Sequence, residues 1–158
     1  MIRFTLKFTT ALVLVYLVVG NLFFNFFSKE YYQGSQPVFS KFLISPSDSL
    51  HWSEVLIWMI PVQIIRGLLI GCVLYSLKPL LDSKNYIHKS WILFSHYFVL
   101  SGLAAVSPSV GNLEGMLFLQ NFISWKIHLT ILSEILIQSL SLALIFSWWI
   151  QPNLNQST

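Results

Sequence analysis

Four stretches of this chain are each long and apolar enough to cross a lipid bilayer, and that limits everything else. A spanning helix needs about 20 mostly apolar residues, since each adds about 1.5 Å against a hydrocarbon core about 30 Å thick. The sequence predicts spans near 4–27, 55–77, 88–106 and 127–150. The third reaches length only by taking in His88 to Ser90 ahead of Trp91. Lipid satisfies no backbone hydrogen bond, and the runs lack period-two alternation, so helices are expected rather than a barrel. Composition agrees: AVILMFWYC residues make up 55% of the chain and charged residues 9%, against about 25% charged in soluble domains.

The expected fold is therefore an all-α integral membrane protein. It is a bundle of four transmembrane helices in one domain spanning 1–158, with an interfacial or re-entrant segment near 113–125 between the third and fourth. Ser107-Pro108 and Gly111-Asn112 end the third span. The run that follows is too short to cross and carries Glu114, Gln120 and Asn121. A break near Ser124 to Lys126 is expected, because Leu113 to Ile150 as one helix would exceed about 55 Å. Val38, Phe39, Phe42 and Leu43 fall at helical spacing and suggest a short surface helix. The first run has a basic start, but it is too long for a signal peptide and no small-x-small site follows it. It is read as a retained anchor.

Orientation follows the Lys/Arg count. Arg3, Lys7, Lys78, Lys84 and Lys89 fall on one side, and Lys29, Lys41 and Lys126 on the other. Both termini are expected in the cytoplasm, and the compact loops suggest a bacterial inner membrane. Trp52, Trp58, Trp148 and Trp149 suit interfacial belts. The sequon at Asn155 then lies on the cytoplasmic side.

Net charge is only +3 and the basic residues are scattered, so nucleic acid is not an expected partner. One cysteine, Cys72, permits no intramolecular disulfide and no Cys-based zinc site. HExxH and GxSxG are absent, and the only aspartates, Asp48 and Asp82, fall in loops. No metal or cofactor site is expected, and no motif names a catalytic residue. A two-histidine haem site is not supported, because only His96 lies well inside a span. His51, His88 and His128 fall near helix ends.

Ionisable residues within a span are costly and usually face protein or water. Arg66 lies half-way along the second predicted span and Glu134 in the outer part of the fourth. Gln63 and Gln138 sit one turn from each, on the same faces. Counted from the predicted ends, Arg66 and Glu134 differ in depth by one turn, so an ion pair in a polar cavity is expected. Asn21 and Asn25 share a face of the first span and would extend that cavity outward or bridge a neighbouring helix. His96 is kept as a proton-relay candidate. Gly67 and Gly71 form a GxxxG pair that permits close helix approach, within the chain or between copies.

Three functions stay open in ranked order. The first is a non-enzymatic accessory, assembly or regulatory membrane protein. The second is a transport or ligand-binding protein using the Arg66–Glu134 cavity. The third is an intramembrane enzyme on a lipid-like or quinone-like substrate. The lipid bilayer itself and another membrane protein are the expected partners.

Overall fold

A computed structural model describes residues 1–35, 37–44, 46, 48–104, 109–119 and 123–151. Among them every regular element is helical: α1 (Ile2–Phe23), α2 (Lys29–Gln33), α3 (Ser49–Tyr75), α4 (Lys78–Asp82), α5 (Tyr86–Ser95), α6 (Leu113–Phe118) and α7 (Trp125–Trp149). A π turn, Phe24–Ser28, joins α1 to α2, a π-helical segment, His96–Leu103, continues α5, and Phe39–Lys41 forms a single 3₁₀ turn. Three continuous helices are long and apolar enough to cross a membrane: Ile2–Gln33, Ser49–Tyr75 and Trp125–Trp149, each with a mean hydropathy of 2.0.

Local chemistry sets the helix starts. Asp48 caps α3 through the His51 backbone N–H (3.3 Å), Asn85 caps α5 through His88 (3.0 Å), and Asn112 caps α6 through Gly115 (2.6 Å). Each side-chain oxygen takes up a donor that the first turn leaves unpaired. Pro79 sits in the first turn of α4, where its missing N–H costs nothing. α3 continues through Pro61.

α1 is the centre of the bundle. On one side α3 runs antiparallel to it, with Gly67 against Thr9 and Gly71 against Thr5. A Cβ added at Gly67 would stand 2.9 Å from the Thr9 Cα, and one at Gly71 would stand 3.0 Å from the Thr5 Cγ2. The GxxxG pair is thus buried within the chain, under α1. On the other side α7 runs antiparallel to α1. Phe146 meets Phe4 and Phe8 edge-on, with ring centroids 5.0 and 5.1 Å apart. The Lys7 Nζ donates to the Trp149 carbonyl at 3.1 Å. That end, which carries the start of α1 and the end of α7, is called basal here and the opposite end distal. α5 and its π-helical continuation pack antiparallel on α7, with Gly102 against Ile135 and the Tyr86 hydroxyl donating to the Leu144 carbonyl at 3.3 Å. The main core is basal and includes Phe8, Ala11, Leu12, Leu81, Leu142 and Phe146. A smaller cluster of Phe39, Ile123 and Ile127 closes the distal end.

Several expectations change. The first helix runs on to Gln33 instead of ending near Phe27, because the π turn lets it continue. The third predicted span starts earlier, at Tyr86, and its helical part ends at Leu103. Its 10 and 8 residues reach about 27 Å even at α-helical rise, short of a core about 30 Å thick. Lys89, counted above among the charges that set orientation, lies inside α5 and is only 1% exposed. The expected surface helix around Val38 is only the 3₁₀ turn. The break before the last span is present: Ser124 is extended and α7 starts at Trp125. Within 113–125 the structure forms α6 and an extended Leu119. Ser107, Pro108, Gln120, Asn121 and Asn155 lie outside the described residues.

Candidate intramembrane polar site

The packing registers fix the depths of the polar residues. Gly67 against Thr9 puts Arg66 level with Thr10 of α1. Gly20 of α1 stands against Glu134 and Gln138, since a Cβ there would lie 3.8 Å from the Glu134 Oε1 and 3.6 Å from the Gln138 Nε2. Ten residues of α1 therefore separate the two levels, about 15 Å along its axis. The sequence had suggested one turn. The difference comes from where the helices begin: α3 starts at Ser49, six residues before the predicted 55, and α7 at Trp125, two before the predicted 127. Arg66 is accordingly much deeper from the distal side than Glu134. Among the described residues no ion pair joins them; the salt bridges formed are Asp48–His51 and Lys78–Asp82.

Each charged residue has its own neighbours. The Arg66 side chain is exposed on the outside of α3, and its guanidinium carbon lies 5.8 Å from the centroid of the Tyr97 ring. That is cation–π distance. Gln63, one turn away, is half-buried, and its side-chain oxygen is enclosed with no hydrogen-bond partner among the described residues. Glu134 is half-buried and accepts the Gln138 side-chain amide at 2.9 Å. Tyr16 of α1 lies between the two levels, within the electrostatic reach of both Glu134 and Arg66.

The other candidates do not join either group. The Asn25 amide donates to the Asn21 carbonyl (2.8 Å) and side-chain oxygen (2.9 Å), and both residues are exposed. They satisfy each other on their own helix. The His96 Nδ1 donates to the Ile92 carbonyl at 3.0 Å, which leaves Nε2 as the acceptor. With Tyr97 and Leu100, His96 lines an apolar groove of about 460 Å³ against Leu69, Ile70 and Val73 of α3. The buried His128 accepts the Gly111 N–H at 3.2 Å, and Gly111 has a φ of 93°. This histidine ties the 109–112 loop to α7. Just ahead of α3, the Asp48 carboxylate is hydrogen-bonded by the His51 ring at 2.8 Å, which holds it below the usual carboxyl range. Among the described residues no group of three His, Cys, Asp or Glu side chains is placed to hold a metal.

Sequence reasoning missed Tyr16, Gly20, Tyr97 and Lys89. Tyr16 and Gly20 carried a readable signal, being a phenol and a glycine four apart in an otherwise apolar run. No known family, curated protein or solved structure matches this chain.

Proposed function

We propose that this chain is a non-enzymatic accessory, assembly or regulatory protein of a bacterial inner membrane, with both termini cytoplasmic and α5 with its π-helical continuation as a fourth, thin crossing. The observation that carries this reading is Arg66. It stands near the middle of α3 on an exposed face, with the Tyr97 ring as its neighbour and, among the described residues, no acidic side chain in salt-bridge reach. An arginine in hydrocarbon costs about 2.5–3.5 kcal/mol on insertion scales. An acidic group on a neighbouring membrane helix would offset that cost. Only 11% of the most apolar window of α3 is buried by its own chain, so most of this helix is free to pack on another.

Photocrosslinking residues at Val62 and Val73, which flank Arg66 and are exposed, test this in native membranes. One discrete protein adduct is expected from both sites, mapping to a membrane segment that carries Asp or Glu and lost in Arg66→Gln. Lipid adducts alone, as expected from Leu22 on the outside of α1, would reject it.

Ligand binding is the second reading, and it rests on a different place from the one the sequence suggested. The 15 Å offset argues against one cavity shared by Arg66 and Glu134. The groove beside His96 instead suits an apolar molecule. Lipid analysis of the purified protein, with and without Leu100→Trp to fill the groove, tests it by the loss of one co-purifying species.

A further inference from the structure

Of the six acidic residues, Glu134 alone lies deep within an apolar helix. Glu30 and Glu54 are within five residues of a helix end and exposed. Glu134 is nine residues from the distal start of α7 and 15 from Trp149, roughly 13 and 22 Å along the axis. Its Oε1 accepts the Gln138 amide, and its Oε2 has no hydrogen-bond partner among the described residues. The space opposite is the one that Gly20 leaves open and that a Cβ would enter.

Among the described residues no countercharge faces this carboxyl from any packed element. α1 presents Tyr16 and α2 presents Tyr32, both within its field and both uncharged donors at neutral pH. Arg66 of α3 reaches Tyr16 but forms no ion pair with Glu134. His96 and Tyr97 of the π-helical segment line the groove with α3. On α7 itself, His128 is engaged by the Gly111 N–H. One neutral amide does not offset the cost of an ionised carboxylate in hydrocarbon, whereas a bound proton removes the charge altogether.

We infer that Glu134 is a proton-binding site, a carboxyl that carries its proton at neutral pH in the seam between α1 and α7. The neutral acid accepts from Gln138 through Oε1, keeps its proton on Oε2, and lets α1 close on it at Gly20. This is independent of any docking face on α3.

Dicyclohexylcarbodiimide, an apolar reagent that modifies protonated carboxyls in apolar surroundings, tests it on the full chain in native membranes, with adducts mapped by peptide mass spectrometry. At neutral pH the adduct is expected on Glu134 and not on Glu30 or Glu54. Labelling should fall as the medium is made alkaline, by up to about tenfold per pH unit beyond the midpoint. Glu134→Gln, which keeps a carbonyl for Gln138, should stay folded by size-exclusion and carry no adduct in this peptide. The mapping in the unaltered chain stands even if that variant fails to fold. No adduct at Glu134 at neutral pH, labelling that ignores pH, or protection by sodium at fixed pH would each overturn the inference, the last by assigning the site to an alkali cation.

Discussion

Toward α3, α1 offers Thr5 and Thr9 to two glycines; toward α7 it offers Phe4 and Phe8 to a third phenylalanine and, higher up, Gly20 to a carboxyl and an amide. The first seam is uniform and close, so backbones approach until van der Waals contact is made along the helix. Small residues suit this in lipid, where no hydrophobic force draws helices together. The second seam changes character with depth. Its basal half is a buried core built around three phenylalanine rings, and its distal half is polar and only half-buried. One helix thus holds a glycine-seated neighbour on one flank and a neighbour with a carboxyl-bearing upper half on the other.

The α7 seam breaks hardest at its base. Phe146 is fully buried against two rings, so Phe146→Ala should cost about 3–5 kcal/mol in detergent unfolding. A loss near that of a lipid-facing leucine would mean the basal core does not hold the helices together.

The α3 seam breaks next. Gly67→Ala and Gly71→Ala should each cost about 1–3 kcal/mol by overpacking. Position 67 should be the worse, since its new Cβ meets the Thr9 backbone, whereas at 71 the nearest atom is the Thr5 methyl. Thr5→Ala should therefore rescue Gly71→Ala, while Thr9→Ala leaves much of the Gly67→Ala loss. Equal rescue at both would contradict this register.

The two flanks are also expected to be energetically separate. Arg66→Gln and Glu134→Gln should combine additively in folding free energy, within about 0.3–0.5 kcal/mol. A larger coupling in the double-mutant cycle would show that the two side chains meet.

The smallest effect lies at the distal start of α3. Asp48 has a lowered pKa in the fold, so its contribution is complete above the unfolded value of about 3.9 and is lost as pH falls through the folded value. Asp48→Ala should lower the helicity at the start of α3 at neutral pH and remove that acid-side step, so that variant and parent converge below the folded value.

These contrasts also show what the sequence could reveal. Gly67 and Gly71 were readable as a close-approach pair because glycine spacing is local, but their partner was not, since Thr5 and Thr9 lie some 60 residues away. Arg66 and Glu134 were readable as costly charges, yet their relative depth depended on helix starts six and two residues from the predicted ones. A boundary error of one turn or two is harmless for fold class and decisive for a pair. Lys89 was invisible as a buried residue because charge near a span end normally marks water, and here α5 begins before it.

The π-helical segment after α5 has an evolutionary reading. The Ala104 N–H bonds to the Val99 carbonyl at 2.8 Å, five residues back, so the turn holds one residue more than an α-helical ladder would. Such a turn is what a single-codon insertion leaves behind. Without it, everything beyond would rotate by about 100° relative to what precedes. Tyr97 could then no longer meet Arg66 while Gly102 meets Ile135. A descendant that deleted one residue there would keep its helix, yet would have to choose between the two contacts. Arg66 would then be free to drift to an apolar residue in that lineage.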